Sequence, residues 1–412
     1  MLLLKLALRN LRRNLRRTLI TSSAIVFGLT FLMFGTVMQD GMHRETVRSA
    51  VGFMAGHVVV QGKGFNAERD AAIVVDGVSA KRKALQAAVP DAQVIPRIFM
   101  GGLLTSPNGS MGVSITGVDP KAEAAISDLD DRIVDGEYVG DADTDIIIGK
   151  TLAESLAVEV GDKVVAMFQR DGILESQLFR VRGIFKTGAA EMDGFMTVVH
   201  LKAAQRLLGK EDAAHQLALI IDYERGLDAA VANAAEAMGA EATTLEILPW
   251  QKALPEVYDY IVLDDVSMWI FLLLLGFIVA IGILNTMLMS VLERVREFGT
   301  MLAVGMSPVQ LAQVILLEGF LLGVFASTVG VVLGVIVTYP IVTDGLDYGA
   351  LMGGVDSMDI SGVPINLKVH GFYDWVKYPV FWAVSVALTT LSTVYPVWFT
   401  SRLTPMRAMR HR

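Results

Sequence analysis

The chain of 412 residues contains no cysteine. Disulfides, thiol catalysis, Cys-based metal sites and the lipid-modified cysteine of a lipoprotein are therefore excluded. Histidine is nearly as scarce. His43, His57, His200, His215, His370 and His411 are scattered without metal-ligand spacing, so no metal site is expected. Charged residues make up only 19% against 53% hydrophobic ones. Mean hydropathy is +0.50, well above that of soluble domains. A nucleotide loop is also missing. Gly149-Lys150-Thr151 resembles the end of a phosphate-binding loop, but the glycine needed five residues before Gly149 is Thr144. Asp264 and Asp265 read as interfacial carboxylates rather than an acid–base pair. No catalytic residue, and no cofactor bound by this chain, is expected.

What the chain does have is apolar length. Four uncharged stretches, 18–38, 267–292, 319–343 and 378–401, each reach the roughly 20 residues that a spanning helix needs. The first is too long for a signal peptide and lacks a small-x-small cleavage site at Phe34-Gly35-Thr36-Val37-Met38, so it is expected to remain as an anchor. Basic residues set the orientation. Lys5, Arg9, Arg12, Arg13, Arg16 and Arg17 precede the first stretch; Arg402, Arg407, Arg410 and Arg412 follow the last, with no acid in either tail. Both termini are expected on the cytoplasmic side. There Arg9, Arg12, Arg13, Arg16, Arg17, Arg407 and Arg410 would serve as basic anchors to membrane lipids. The segment 39–266 then faces outward. It carries 21 basic and 35 acidic residues, a net of −14, which argues against nucleic acid as a partner.

The expected fold is a membrane protein with four transmembrane α-helices in a 1+3 layout. A large extracytoplasmic α/β domain sits between the first and second. In order these are a cytoplasmic amphipathic helix (1–17), span one (18–38), the outer domain (39–254), a stalk with span two (255–292), a link helix and turn (293–307), span three (308–343), an external loop (344–377), span four (378–401) and a basic tail (402–412). Within the outer domain, residues 57–61 form a β-branched run, 79–88 are helix-like and 93–99 are extended. The pattern recurs as strand 217–222, helix 227–238 and strand 243–248. Two such units flanking a long middle predict a split ferredoxin-like lobe, about 50–100 and 215–250. The middle, about 101–214, reads as an inserted β-rich lobe with strands at 110–115, 145–148, 163–168, 177–185 and 196–200.

After Pro255 no proline occurs up to Leu292, and only Gly276 and Gly282 are weak helix formers. A continuous helix there would be about 57 Å long, against a hydrocarbon core of roughly 30 Å. It is either a rod reaching outward or an ordinary span with an amphipathic prelude. In the link, Gly305 suits a left-handed helix stop, and Ser307 with Pro308 suits an N-cap and first-turn proline. A short helix over 296–304 follows. Phe298, Met301, Leu302 and Met306 make it apolar for a cytoplasmic loop, so it either lies on the membrane or docks into a partner's groove. Glu318 at the start of span three would be costly unpaired; it either pairs with Arg294, Arg296 or Arg407, or snorkels to water. Gly319, Gly323, Gly330 and Gly334 share one helix face, a groove for packing within the subunit or at a seam between subunits. Trp269, Trp382 and Trp398, with Tyr378 and Tyr395, sit near span ends as interface anchors.

These segments together resemble FtsX-like and MacB-like permeases, the membrane subunits of type VII ABC transporters. The family's E-x-x-x-E, small-residue turn and later glutamate correspond to Glu293, Glu297, Ala303, Gly305, Ser307 and Glu318. The opening from Leu6 to Thr18, the ending from Tyr395-Pro396 to Thr404-Pro405 and Arg410, and the run Gly183 through Asp193 to Leu208 are similar to family segments. The resemblance covers the whole chain, and its layout is nearest the lipoprotein-releasing (LolC/LolE-like) permeases. It implies that the link helix is a coupling helix docking on an ATPase, through Arg296, Glu297, Phe298, Met301, Leu302, Gly305, Ser307 and Glu318. It implies a second permease, identical or related, and two copies of a separate ABC ATPase subunit that carries the ATP and Mg. A periplasmic carrier or adaptor would complete the machine. The implied mode is mechanotransmission: ATP-driven closure below moves the outer domains above, and substrate is handled outside the membrane and need not pass through a pore between the spans. Three roles remain open: lipoprotein extraction, efflux of peptides, antibiotics or lipids with an adaptor, or signalling to a cell-wall hydrolase. The length of the insert favours transport over the third.

Overall fold

A computed structural model describes residues 2–13, 15–170, 173–221, 226–351, 357–360 and 363–401. It divides into two compact units. The membrane unit comprises Met1–Met42, Leu263–Leu346 and Val369–Arg412; the outer unit comprises His43–Val262 and Asp347–Lys368.

The membrane unit opens with an N-terminal helix, Leu2–Arg13. The first spanning helix is Leu15–Phe53 and the second Pro255–Glu293; each contributes to both units. A link helix, Val295–Ala303, leads to the third span, Pro308–Asp344, and the fourth opens with helix Lys377–Ser392, which is followed by a closing helix, Val394–Ser401. Among the described residues four helices are long and apolar enough to cross a membrane. Helix is the form that satisfies every backbone group within hydrocarbon. The third span starts from a capping box: Ser307 Oγ accepts from the Gln310 amide at 3.2 Å, and Gln310 Oε1 accepts from the Ser307 amide at 3.0 Å.

The glycine face of the third span is used inside the subunit. A Cβ on Gly319 would lie 2.3 Å from Thr393 Cγ2, and one on Gly323 3.1 Å from Thr389 Cβ. Further along, Cβ atoms on Gly330 and Gly334 would meet Leu29 at 3.1 Å and Met33 Sδ at 2.5 Å. The first half of the stripe thus seats the fourth span and the second half the first span.

Two boundaries differ from expectation. The uncharged run of the first span ends at Met38, yet its helix continues to Phe53, so a domain boundary at residue 39 falls inside it. Asp40, Arg44, Glu45 and Arg48 end the apolar pattern without a proline to end the helix. The fourth span, expected over 378–401, runs Lys377–Trp398 with its helix interrupted at Thr393, between Ser392 and Val394. Pro396 has no N–H for the Ser392 carbonyl, and its ring crowds that position.

The outer unit is built on one ten-stranded sheet. Its strands are β1 (Val58–Gly62), β2 (Gln93–Ser106), β3 (Gly109–Val118), β4 (Ile133–Gly136), β5 (Asp145–Gly149), β6 (Lys163–Arg170), β7 (Ile173–Phe185), β8 (Met196–His200), β9 (Gln216–Ile220) and β10 (Leu245–Pro249). Their order is β10-β1-β9-β2-β3-β8-β5-β7-β4, with β6 pairing β2 and β7. The first four, all antiparallel and packed against helices Val78–Ala88 and Leu227–Met238, have the strand order of a ferredoxin-like lobe. The two expected lobes share β2, which runs through the anticipated break at Gly101 without interruption. A Cβ on Gly102 would stand 2.6 Å from the Met167 carbonyl, so glycine there lets β6 approach rather than ending β2. Gly149 has a similar cause. Its Cβ would fall 2.3 Å from the Asp193 carbonyl, which accounts for the glycine by packing and not by phosphate.

Two buried polar side chains of this unit, Asp193 and His215, hydrogen-bond within it. Asp193 Oδ1 accepts from the Thr187 amide at 2.9 Å and its hydroxyl at 2.7 Å. His215 stacks on Phe65 with ring centroids 4.7 Å apart. Its Nδ1 accepts from the Phe99 amide at 2.9 Å and its Nε2 lies 3.1 Å from the Ala71 carbonyl. Burial pushes its pKa below the usual histidine value, outweighing the Ala71 bond, and the neutral Nε2–H tautomer satisfies both contacts. The loop 344–377 contains a hairpin, Ser357–Ile360 with Val363–Asn366.

Candidate functional site

The link helix has two faces. Val295, Phe298 and Gly299 are buried, a three- and four-residue spacing that turns one stripe inward. Phe298 is 2% exposed and packs with Val291, Leu311 and Ile315; Met301 and Leu302 border the same cluster. Arg296, Thr300, Ala303 and Val304 face away, and Val304 is 85% exposed. Phe298 was expected among the partner-facing residues, and the structure corrects this: it belongs to the subunit's own core. The apolar surface offered outward is instead Val304, with Val309 66% exposed just beyond the turn. The sequence signal for this was present, since Val295, Phe298, Gly299 and Leu302 follow helical spacing and leave Val304 on the opposite side.

The turn is sharply defined. Gly305 has φ +105°, which glycine adopts without a Cβ penalty. Its amide donates to the Leu302 carbonyl at 3.1 Å, and the Met306 amide donates to Met301 at 3.0 Å. This paired closure ends the link helix and sets the direction of the third span.

Behind the turn lies a chain of alternating charges. Arg294 Nη1 donates to both Glu318 oxygens, at 3.2 and 3.4 Å, and Nε donates to Glu297 at 3.1 Å. The guanidinium also sits 5.1 Å from the Phe298 ring centroid, a favourable cation–π placement. Arg13 of the N-terminal helix pairs with Glu297. The side chains of Arg294 and Glu318 are 6% and 7% exposed. Burial acts to raise the Glu297 carboxyl, but hydrogen bonds from Arg13 and Arg294 outweigh it and hold the pKa below the ordinary carboxylate range. The N-terminal helix, link helix and third span are thereby tied through one network. Of the three candidate partners of Glu318, Arg294 takes the role; Arg296 is exposed, and Arg407 lies outside the described residues, as do Arg410 and the Arg17 side chain. Arg9, Arg12, Arg13 and Arg16 are exposed along their helices.

Residues 18–238 match the MacB-like periplasmic core domain family, and residues 269–405 match the FtsX-like permease C-terminal family. The chain belongs to the FtsX-like and MacB-like permeases. Similar curated proteins are ABC transporter permeases of these types. "Lipoprotein-releasing system transmembrane protein LolC" of Neisseria meningitidis serogroup B is 24% identical over 96% of this chain and 94% of that protein. "Macrolide export ATP-binding/permease protein MacB" of Sodalis glossinidius is 24% identical over 86% of this chain and 54% of that protein. Among solved structures, the periplasmic region of MacB from Actinobacillus actinomycetemcomitans aligns with a TM-score of 0.36 at 12% identity, covering 48% of this chain and 91% of that one.

This FtsX-like permease also presents a groove among its spans. A cavity of about 290 Å³ lies between the first, second and fourth, lined by Gly28, Leu29, Leu272, Gly276, Phe277 and Phe381. Its walls are mostly apolar, with Ser385 and Thr389 contributing hydroxyls, which suits a hydrocarbon chain.

Proposed function

We propose that this permease couples a separate ABC ATPase to work done on the outer face of the membrane. Two ATPase copies, holding ATP and Mg, dock on the outward face of the link helix in each of two permeases. The two permeases are copies of this chain or this chain with a relative, and both termini lie in the cytoplasm. The observation that carries the reading is the network Arg13–Glu297–Arg294–Glu318. It makes the link helix, the N-terminal helix and the third span one rigid lever base, so a push on Val304 is passed to the spans rather than absorbed in a loop. Glu318 is thus a positioning residue, and Arg296, Gly305 and Ser307 shape the docking surface.

The substrate reading is extraction of lipoproteins or other amphipathic molecules from the outer leaflet and their transfer to a periplasmic carrier. Its support is the full-length similarity to proteins named for lipoprotein release, together with a groove apolar enough for an acyl chain. A second reading, efflux with a periplasmic adaptor, draws on the similarity to macrolide exporters. Val304→Glu tests the coupling surface. The site is exposed, so stability is expected to change by no more than about 0.5 kcal/mol, while copurification of the ATPase falls at least tenfold. Retention of the ATPase at wild-type level would remove the link helix as the docking element.

A further inference from the structure

The outer unit contains a second cavity, of about 640 Å³, within the 300–1,000 Å³ range of small-molecule sites. Its wall is apolar: Val47 and Val51 from the first spanning helix, Ile126 from helix Pro120–Ser127, Ile220 of β9, Trp250, and Ile261 of the second spanning helix. The lining also includes Arg44 and Arg48, one helical turn apart, and His43; Asp91 is the one acid among the described lining residues. Arg48 lies 3.9 Å from Asp128, with its side chain 73% exposed, a loose pair that a stronger anion displaces at little cost. The lining thus sets two arginines against one acid beside an apolar wall, in a segment whose net charge is −14. Depth matters as well. Along the first helix His43 follows Met38, where the uncharged run ends, by about 7 Å at 1.5 Å per residue. The two arginines thus closely follow the end of the uncharged run on one continuous helix, and just past such a run lipid phosphate is the abundant anion.

We propose that this cavity takes an anionic phospholipid, with an acyl chain along Val51, Ile220 and Trp250 and its phosphate on Arg44 and Arg48. The guanidinium fork matches a phosphate bidentately, and the apolar wall replaces the bilayer around the chain. The assignment rests on the membrane placement proposed above but not on the ATPase, and its test needs no ATPase. The full chain is reconstituted in phosphatidylcholine nanodiscs with a phosphatidylglycerol probe bearing a photoreactive diazirine near its acyl terminus. Adducts are mapped by mass spectrometry.

Labelling is expected within 43–52 and 250–261, at least fivefold above that of the matching phosphatidylcholine probe. The double variant Arg44→Gln with Arg48→Gln should remove that preference. Ala125→Phe, at an exposed position on the lining, should lower labelling by a similar factor through occupying the space. Equal labelling by both probes, adducts only in the spans, or yields indifferent to both variants would overturn the assignment. Should the arginine variant fail to fold, native mass spectrometry of the wild-type chain decides. Phosphatidylglycerol held through detergent exchange in preference to phosphatidylcholine supports the site, and no such preference overturns it.

Discussion

Arg294→Met is expected to destabilise the membrane unit by about 3–5 kcal/mol and to abolish stimulation of the ATPase. The side chains of Arg294 and Glu318 are both more than nine-tenths buried, so removing the cation leaves a carboxylate with neither water nor its guanidinium. Glu297 loses one of its two donors at the same time. Thermal unfolding in detergent measures the first effect and ATP turnover of the reconstituted complex the second. Adding Glu318→Leu to Arg294→Met separates stability from coupling. Replacing both charges by apolar groups should recover most of the lost stability, because no buried ion remains. Coupling should stay lost, since the tie between link helix and third span is gone. If the double variant regained full ATPase stimulation, the network would be structural only.

Arg97→Met is expected to cost about 3–5 kcal/mol as well, this time in the outer unit. Arg97 is fully buried within β2. Its guanidinium donates to Glu123 at 2.6 and 3.1 Å and to the Ala55 carbonyl at 3.2 Å, and it also contacts the Gly52 carbonyl. One side chain thus neutralises a buried carboxylate and caps the end of the first spanning helix, whose last carbonyls have no partner of their own. Lysine cannot reproduce this, because a single ammonium does not span a carboxylate and two carbonyls in one plane. Arg97→Lys should therefore rescue less than half of the loss. Hydrogen exchange gives the local readout: amides at 50–57 should exchange at least tenfold faster in Arg97→Met. A loss under about 1 kcal/mol, or unchanged exchange at 50–57, would show that the cap is redundant.

The spans were legible because a bilayer demands length and hydrophobicity, and both can be counted in a sequence. The ferredoxin-like half was legible for a related reason. Strand β1 is a short β-branched run buried throughout, helix Leu227–Met238 buries Ala230, Ala234 and Met238 at helical spacing, and a β-α-β pair leaves few ways to order four strands. What escaped was set by contacts far apart in the chain. Gly101 and Gly102 look like a strand end, yet β2 continues because Gly102 makes room for Met167 of β6. Arg97 interrupts an apolar run, and nothing local predicts that Glu123 and a helix end will meet it. Apolar content alone sets Phe298 on the partner side, whereas its spacing does not. Taken with Val295 and Gly299, its position points to the core. The pairing of Glu318 could be narrowed to three arginines from sequence but not to one, since Arg294 reaches it only after the turn at Gly305 folds the link back on the third span.

Under the proposed coupling, ATP hydrolysed by a partner moves the outer units. Because the chain has no cysteine, Ser176→Cys on an exposed position of β7 labels it at a single place. With a second spin label on the partner permease or second copy, double electron–electron resonance reads the distance between outer units in the reconstituted complex. Trapping the ATPase with ATP and vanadate should shift that distance by several ångströms, and the shift should vanish in Arg294→Met with Glu318→Leu. A distance distribution identical with and without trapped nucleotide would contradict the account.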